Sequence, residues 1–160
     1  MNGFQFLIPI FSRQITFSIR AFICCLLLVL LSFINTDVWA SDNYDIVIYP
    51  GVGEKEISLN SLRSIFSMRK KTWGDGTKIR VFVLADDDEL HQAVSKEILN
   101  VFPYQLRSMW DRLVFSGTGQ APIKVNSIDE MLAKVASTPG AIGYLWRAKI
   151  NDTVNVLQIK

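Results

Sequence analysis

Carboxylates are concentrated at one point of the sequence, immediately after an apolar segment. The run from Arg80 to Ala85 is largely apolar, and Asp86, Asp87 and Asp88 follow it before apolar residues return at helical spacing. A strand that leads into a helix N-terminus is a common place to bind an anion, because the first N–H groups of a helix have no partner within it. The sequence therefore raises the question of why carboxylates lie here.

A structural explanation accounts for these acidic residues. Asp86 and Glu89 have the spacing of a capping box, and carboxylates in the first turn of a helix are stabilised by its dipole. Their oxygens compete for the N–H groups that an external anion would use. The alternative, a cation site formed by Asp86–Asp88, lacks the spacing of oxygen ligands found in a calcium-binding loop.

His91 is the single histidine of the chain, and any Ser–His–Asp or Cys–His mechanism would require it. No G-x-S-x-G motif supplies a nucleophilic serine, and no acid–base pair suited to catalysis is evident. His91 follows Leu90, beside the apolar stripe of the predicted helix, so we expect a surface histidine near carboxylates. The sequence thus predicts a protein that is not an enzyme, with no catalytic residues, metal site or cofactor.

Two glycine-rich segments are candidates for phosphate loops. The segment GVGEKE lacks the third glycine of a dinucleotide fingerprint, and GTGQAP continues into Pro122 instead of opening a helix. Both are predicted turns. The backbone N–H groups of Gly51, Val52 and Gly53 could still contact a ligand. The candidate ligand-binding residues are these three and Asp86–Asp88.

The charge balance argues against nucleic acid as a partner. The chain has 17 Lys and Arg against 15 Asp and Glu, a formal net charge of +2. The one basic cluster, MRKKTW from Met68 to Trp73, is predicted to be a solvated helix end whose cations complement the negative pole of the helix dipole.

The first forty residues have the order of a secretory signal. Arg13 and Arg20 precede the apolar run AFICCLLLVLLSFI, and the small residue Ala40 follows it. The run is shorter than the ~18 to 20 residues that cross a bilayer. We expect a cleaved signal peptide over 1–40, a periplasmic location and a mature domain over 41–160; the alternative is a retained N-terminal anchor. Both cysteines, Cys24 and Cys25, belong to this leader.

Strand and helix patterns alternate over residues 41–160, which predicts an α/β domain with a mixed sheet flanked by helices. The segments YDIVIYP, IRVFVLA, AIGYLW and VNVLQI are predicted strands, and Ser58 and Ser127 are predicted helix N-caps. One helical face contains Leu106, Met109, Trp110, Leu113 and Val114. Pro103 fits the first turn of that helix.

The order of these motifs resembles the phosphate-binding branch of the periplasmic substrate-binding proteins of ABC transporters. The resemblance rests on LNSLRSIF, TWGDGTKIRVFVLADDDELHQAVSKEIL, MWDRLVFSGTGQAP and PGAIGYL, and spans about Ser58 to Leu157. It implies a single lobe of the type II periplasmic substrate-binding-protein fold. It also implies that Trp110, Phe115 and Tyr144 lie in the core, and we expect Trp110 to be buried.

The resemblance implies a non-enzymatic protein that binds phosphate or another small solute and delivers it to a membrane transporter. Members of the family enclose phosphate between two lobes, whereas residues 41–160 supply one. They carry a Ser-Gly-Thr-type loop where this chain has ADDDEL. We therefore expect the anion-binding loop to be replaced by acidic residues. The alternative is a periplasmic interaction or sensory module that binds an envelope protein and no longer binds phosphate.

Overall fold

The computed structural model describes residues 44–160, and the predicted signal peptide, with Cys24 and Cys25, lies outside them. The elements of this part run in the order β1 (Tyr44–Ile48), β2 (Glu56–Ile57), α1 (Leu59–Phe66), β3 (Arg80–Val83), α2 (Glu89–Ala93) with a π-helical continuation (Val94–Ile98), α3 (Pro103–Phe115), β4 (Ile123–Lys124), α4 (Ile128–Ser137), β5 (Ala141–Trp146), a 3-10 turn (Arg147–Lys149), β6 (Asn155–Val156) and β7 (Gln158–Ile159).

The main sheet has five strands in the order β4-β3-β5-β1-β6. β3 is parallel to β4 and β5, and β1 is antiparallel to β5 and β6. This is the predicted mixed α/β sheet. Strands β2 and β7 form a separate parallel pair, so the predicted last strand VNVLQI is divided between two sheets.

Helices cover both faces of the sheet, as two neighbouring residues of β5 demonstrate. Gly143 faces α4 so closely that an added Cβ would lie 2.6 Å from the Sδ of Met131. Tyr144 points to the other face, because side chains alternate along a strand, and its ring lies 6.1 Å from that of Phe66 in α1. The sheet is therefore a central layer between α4 and the helices of the first half of the domain.

The helix boundaries follow their predicted signals. The side chain of Ser58 accepts the N–H of Ser61, and that of Ser127 accepts the N–H of Glu130. Pro103 occupies the first turn of α3. Trp110 is buried as expected, with 2 % of its surface exposed.

Phe115, at the end of α3, contradicts the expectation that it lies in the core. It is 89 % exposed, and its neighbour Val114 is 47 % exposed. The buried face of α3 is carried by Leu106 and Trp110, so the last turn extends beyond the elements that cover the helix. Helical spacing identifies which residues share a face of the helix. It does not show how far along the helix other elements cover that face.

Candidate functional site

The loop after β3 brings the three aspartates to the carboxyl edge of that strand, and each has a different role. Asp88 is the N-cap of α2: its Oδ1 accepts the N–H of Leu90 at 2.9 Å and that of His91 at 3.1 Å. Asp88 is thus the capping residue, and the prediction that Asp86 caps this helix is wrong. The carboxylate of Asp88 already occupies two N–H donors of the first turn, the donors that an external anion would need.

Asp86 pairs with a cation from another helix. The Nη2 of Arg107 in α3 donates to Asp86 Oδ1 at 2.8 Å. This hydrogen bond raises the pKa of Arg107. Asp87 is exposed, and its backbone carbonyl accepts a hydrogen bond from the side chain of Gln92. We use the name acidic edge for Asp86–Glu89.

Behind the acidic edge lies a buried hydrogen-bond network. The hydroxyl of Tyr144 accepts the N–H of Leu84 at 2.9 Å and lies 2.6 Å from His91 Nδ1. If the hydroxyl proton is donated to Nδ1, both bonds are satisfied and His91 carries its own proton on Nε2. In that tautomer the N–H group at Nε2 has no acceptor among residues 44–160.

The structure contradicts the prediction that His91 lies on the surface, since only 1 % of the residue is exposed. Burial lowers the pKa of His91 by disfavouring the charged imidazole, and the carboxylates of Asp86 and Asp88 partly oppose this effect. Burial also raises the pKa of Tyr144. Both groups are therefore neutral near pH 7. A neutral histidine bonded to a neutral phenol supports the strand end and the helix start.

One residue of β5 carries a sequence signal for this network. Tyr144 lies in the apolar segment AIGYLW, and a tyrosine in a fully buried strand requires a hydrogen-bond partner for its hydroxyl. His91 is a suitable partner, but the pairing spans 53 residues and cannot be obtained from helical spacing.

The second group of predicted ligand residues lies elsewhere. Because β1 is antiparallel to β5 and β5 is parallel to β3, the carboxyl end of β1 lies at the edge where β3 begins. Gly51, Val52 and Gly53 are therefore at the opposite end of the sheet from Asp86–Asp88. The N–H of Val52 donates to Tyr49 O at 3.0 Å, and its side chain is buried. The six predicted ligand residues do not form a single site.

Aromatic rings are exposed close to the acidic edge. Phe102 and Tyr104, at the start of α3, stack with ring centroids 5.7 Å apart and are 52 % and 63 % exposed. One turn later, Arg107 contacts Asp86 and lies 5.9 Å from the Trp110 ring centroid. The exposed aromatic pair Phe102–Tyr104 therefore adjoins the ion pair Asp86–Arg107.

No group of His, Asp and Glu side chains within residues 44–160 is arranged to hold a metal ion. The same part of the chain contains no helix long and apolar enough to cross a membrane.

The chain matches solved structures that include proteins of phosphate transport. One is assigned as a phosphate ABC transporter substrate-binding protein from Clostridium perfringens, solved with bound phosphate (TM-score 0.59, 16 % identity). Others are an ABC-type phosphate transport receptor from Vibrio cholerae (TM-score 0.58, 14 % identity) and PstS from Borrelia burgdorferi (TM-score 0.56, 18 % identity). The chain shares their fold. The resemblance in the sequence motifs is confirmed at that level.

The match covers 74 % of this chain but only 45 % to 47 % of each of those three proteins. The chain therefore spans less than half the length of the proteins whose fold it shares. No protein-family model matches the sequence, and the comparison with curated proteins finds no match.

Proposed function

We propose that this protein is an exported, non-enzymatic solute-binding-like protein, built on one substrate-binding lobe whose anion-binding loop has been replaced by the acidic edge. The fold shared with phosphate-binding proteins supports the relationship. One observation supports the proposed loss of phosphate binding: Asp88 accepts two N–H groups at the start of α2. A phosphate placed there would have to displace the carboxylate of Asp88 and approach the three other carboxylates of the acidic edge.

The proposed role is capture or delivery of a small solute, other than tightly bound phosphate, to a membrane transporter in the periplasm. Residues 44–160 do not enclose a ligand bound at the edge of the sheet, so their polar contacts with it are weaker than in an enclosed cleft. Export depends on the predicted cleaved signal peptide over 1–40. A mature N-terminus at Ser41, measured by intact mass spectrometry of the envelope fraction, is the expected result; retention of residues 1–40 would indicate an anchor.

A phosphate-binding experiment tests the proposed replacement of the anion-binding loop by the acidic edge. Melting curves of the protein, purified from cells that express the full chain, would be compared in chloride and in millimolar phosphate at matched ionic strength. We expect no stabilisation, because stabilisation follows RT ln(1 + [L]/Kd) and vanishes when Kd exceeds the ligand concentration. Replacing Asp86–Asp88 by Asn keeps a capping side chain, removes three charges and removes the ion pair between Asp86 and Arg107. Phosphate should then stabilise the variant weakly.

A matched control separates the local effect from net charge. Asp111, Asp129 and Asp152 are exposed and lie outside the acidic edge. Changing all three to Asn removes the same charge and should leave the response to phosphate unchanged. Micromolar phosphate binding by the wild type would overturn the proposal, and so would equal gains in the two triple variants.

An interaction module is a second candidate, favoured by the exposed Phe102–Tyr104 pair. Exposed aromatic residues are typical anchors of protein interfaces. A photo-crosslinking amino acid at position 104 should then capture one envelope protein in cells, and the same label at Asp152 should not. A discrete product from position 104 that persists without any transporter would favour the module over solute delivery.

A further inference from the structure

A groove on the surface of the domain shares no lining residue with the acidic edge. It is about 370 Å³ in volume and lies between α1, with the turn that follows it, and the segment that leads from Leu99 into α3. A shallower hollow of about 360 Å³ shares Asn60, Ser64 and Arg69 with it. Small-molecule sites in proteins typically have volumes of ~300–1,000 Å³. We use the name basic groove for the larger cavity.

The two walls of the basic groove differ in chemistry. One wall is polar and comes from α1 and the turn that follows it, with Arg63 and Arg69 as its charged groups. The other is apolar: Leu99 and Leu106 are buried, and Val101 and Met109 are partly buried. None of the residues that line the cavity is acidic. The groove therefore has a cationic side facing a hydrocarbon side.

The two guanidinium groups are in different states. Arg63 is held in place, because its Nε donates to the carbonyl of Leu99 at 2.9 Å. Its terminal nitrogens remain as donors. Arg69 is exposed, and its side chain has no hydrogen-bond or ion-pair partner among residues 44–160. One cation is thus prepositioned and the other is available.

The helix dipole explains only part of this arrangement. Met68 has a positive φ of 61° just after α1, and the N–H groups of Arg69 and Lys70 both donate to the carbonyl of Ser64. Basic side chains at such a helix end are stabilised by ~0.3–1 kcal/mol. That accounts for the predicted solvated helix end. It does not account for a cavity with an apolar wall, or for the fixation of Arg63 at that cavity.

We propose that the basic groove binds a small organic anion, with a carboxylate between Arg63 and Arg69 and an aliphatic body against the partly exposed Val101 and Met109. A guanidinium presents paired donors that match a carboxylate. Inorganic phosphate would leave the apolar wall uncovered, and a neutral hydrocarbon would leave the cations without a counter-charge. The two walls together favour an amphipathic ligand such as a medium-chain fatty acid anion.

Octanoate is the probe for this proposal. Binding would be followed by amide chemical shifts of the protein purified from cells that express the full chain, with acetate, octanol and inorganic phosphate measured in parallel. We expect octanoate to shift amides of residues 60–70 and 99–109, and the three comparison compounds to bind at least about tenfold more weakly, because each lacks one of the two interactions.

Substitution of Arg69 locates the anion. Arg69→Gln should weaken octanoate binding about tenfold, as expected for the loss of one hydrogen bond to a charged group. Because Arg69 is exposed and unpartnered among the described residues, the melting temperature should not change. Arg112→Gln, on the exposed side of α3, is the charge-matched control and should bind octanoate like the wild type.

Three results would overturn the proposal. The first is no octanoate binding at about 10 mM, roughly the weakest useful affinity for a ligand of this size. The others are chemical-shift changes outside the groove and equal octanoate binding by the Arg69→Gln and Arg112→Gln variants. The phosphate experiment on the acidic edge is independent of this one, since it uses different residues. Failure of either proposal therefore leaves the other open to its own test.

Discussion

The acidic edge and the basic groove are both charge clusters at a helix end, yet their charged groups are in different states. At the acidic edge, Asp88 accepts two N–H groups and Asp86 pairs with Arg107. At the basic groove, Arg69 has no partner within residues 44–160. Each cluster has the sign that its helix dipole favours. The sign of a cluster therefore does not by itself identify a binding site; the two regions differ in that Asp86 and Asp88 have side-chain partners and Arg69 has none among the described residues.

Trp110 connects the two regions, and removing it should have the largest effect on stability. Its Nε1 donates to Phe66 O, at the end of α1, at 2.8 Å, and its ring lies 6.3 Å from that of His91. Trp110→Ala should lower the free energy of unfolding by about 3–5 kcal/mol, as measured by urea denaturation, because it leaves a large cavity and an unpaired carbonyl.

Trp110→Phe is the control for that prediction. It retains an aromatic ring but cannot donate to Phe66 O, so its cost should be smaller. A loss under about 1 kcal/mol for Trp110→Ala would contradict the central place of this residue in the core.

Tyr144→Phe should have the next largest effect, and it tests the support behind the acidic edge alone. The change removes the hydroxyl that satisfies Leu84 N–H and His91 Nδ1 in a buried environment. We expect a loss of about 1–3 kcal/mol in the free energy of unfolding, the cost of buried groups left without a partner. Tyr49→Phe removes a hydroxyl that has no partner among the described residues, so it should change stability by less than ~0.5 kcal/mol. Equal effects of the two changes would contradict the network.

Much of the fold could be predicted from local patterns. Ser58 and Ser127 were identifiable as caps because capping depends on residues three positions apart. The burial of Trp110 followed from helical spacing and from the resemblance. The caps depend on residues within one helical turn, and the burial of Trp110 depends on the periodicity of one helix.

The candidate site was harder to predict because its contacts are long-range. A sequence shows Asp86 and Glu89 at capping-box spacing, but the turn in which Asp88 N–H bonds to Ala85 O starts the helix two residues later. The burial of His91 depends on Tyr144, and the basic groove depends on Leu99 meeting Arg63. Leu90 and Val94 are buried, and the regular spacing of an α-helix would place Ile98 next on that side; after the π-helical turn over Val94–Ile98, Leu99 is the buried residue instead.

Asp88→Ala should have a smaller effect than Tyr144→Phe, and it contrasts the two charge clusters directly. Loss of the cap should cost about 1 kcal/mol, and Asp88→Asn should restore most of it, because an amide oxygen can also accept the two N–H groups. Arg69→Gln should change stability by less than ~0.5 kcal/mol. The free energy of unfolding of each variant would be measured by urea denaturation. If Arg69→Gln lowers it as much as Asp88→Ala does, Arg69 also has a structural role, and the contrast between the two regions is wrong.

The ion pair between Asp86 and Arg107 should contribute least. The two side chains are 37 % and 44 % exposed, so water and salt screen the attraction, and exposed pairs of this kind contribute ~0.2–1 kcal/mol. A double-mutant cycle with Asp86→Ala and Arg107→Ala measures the coupling without the separate contact of Arg107 with the Trp110 ring, which is lost on both sides of the cycle. The coupling should lie below about 1 kcal/mol in low salt and decrease in high salt. A coupling above about 2 kcal/mol that does not respond to salt would mean that the ion pair is shielded from water. The carboxylates of the acidic edge would then repel an anion more strongly than carboxylates exposed to solvent do.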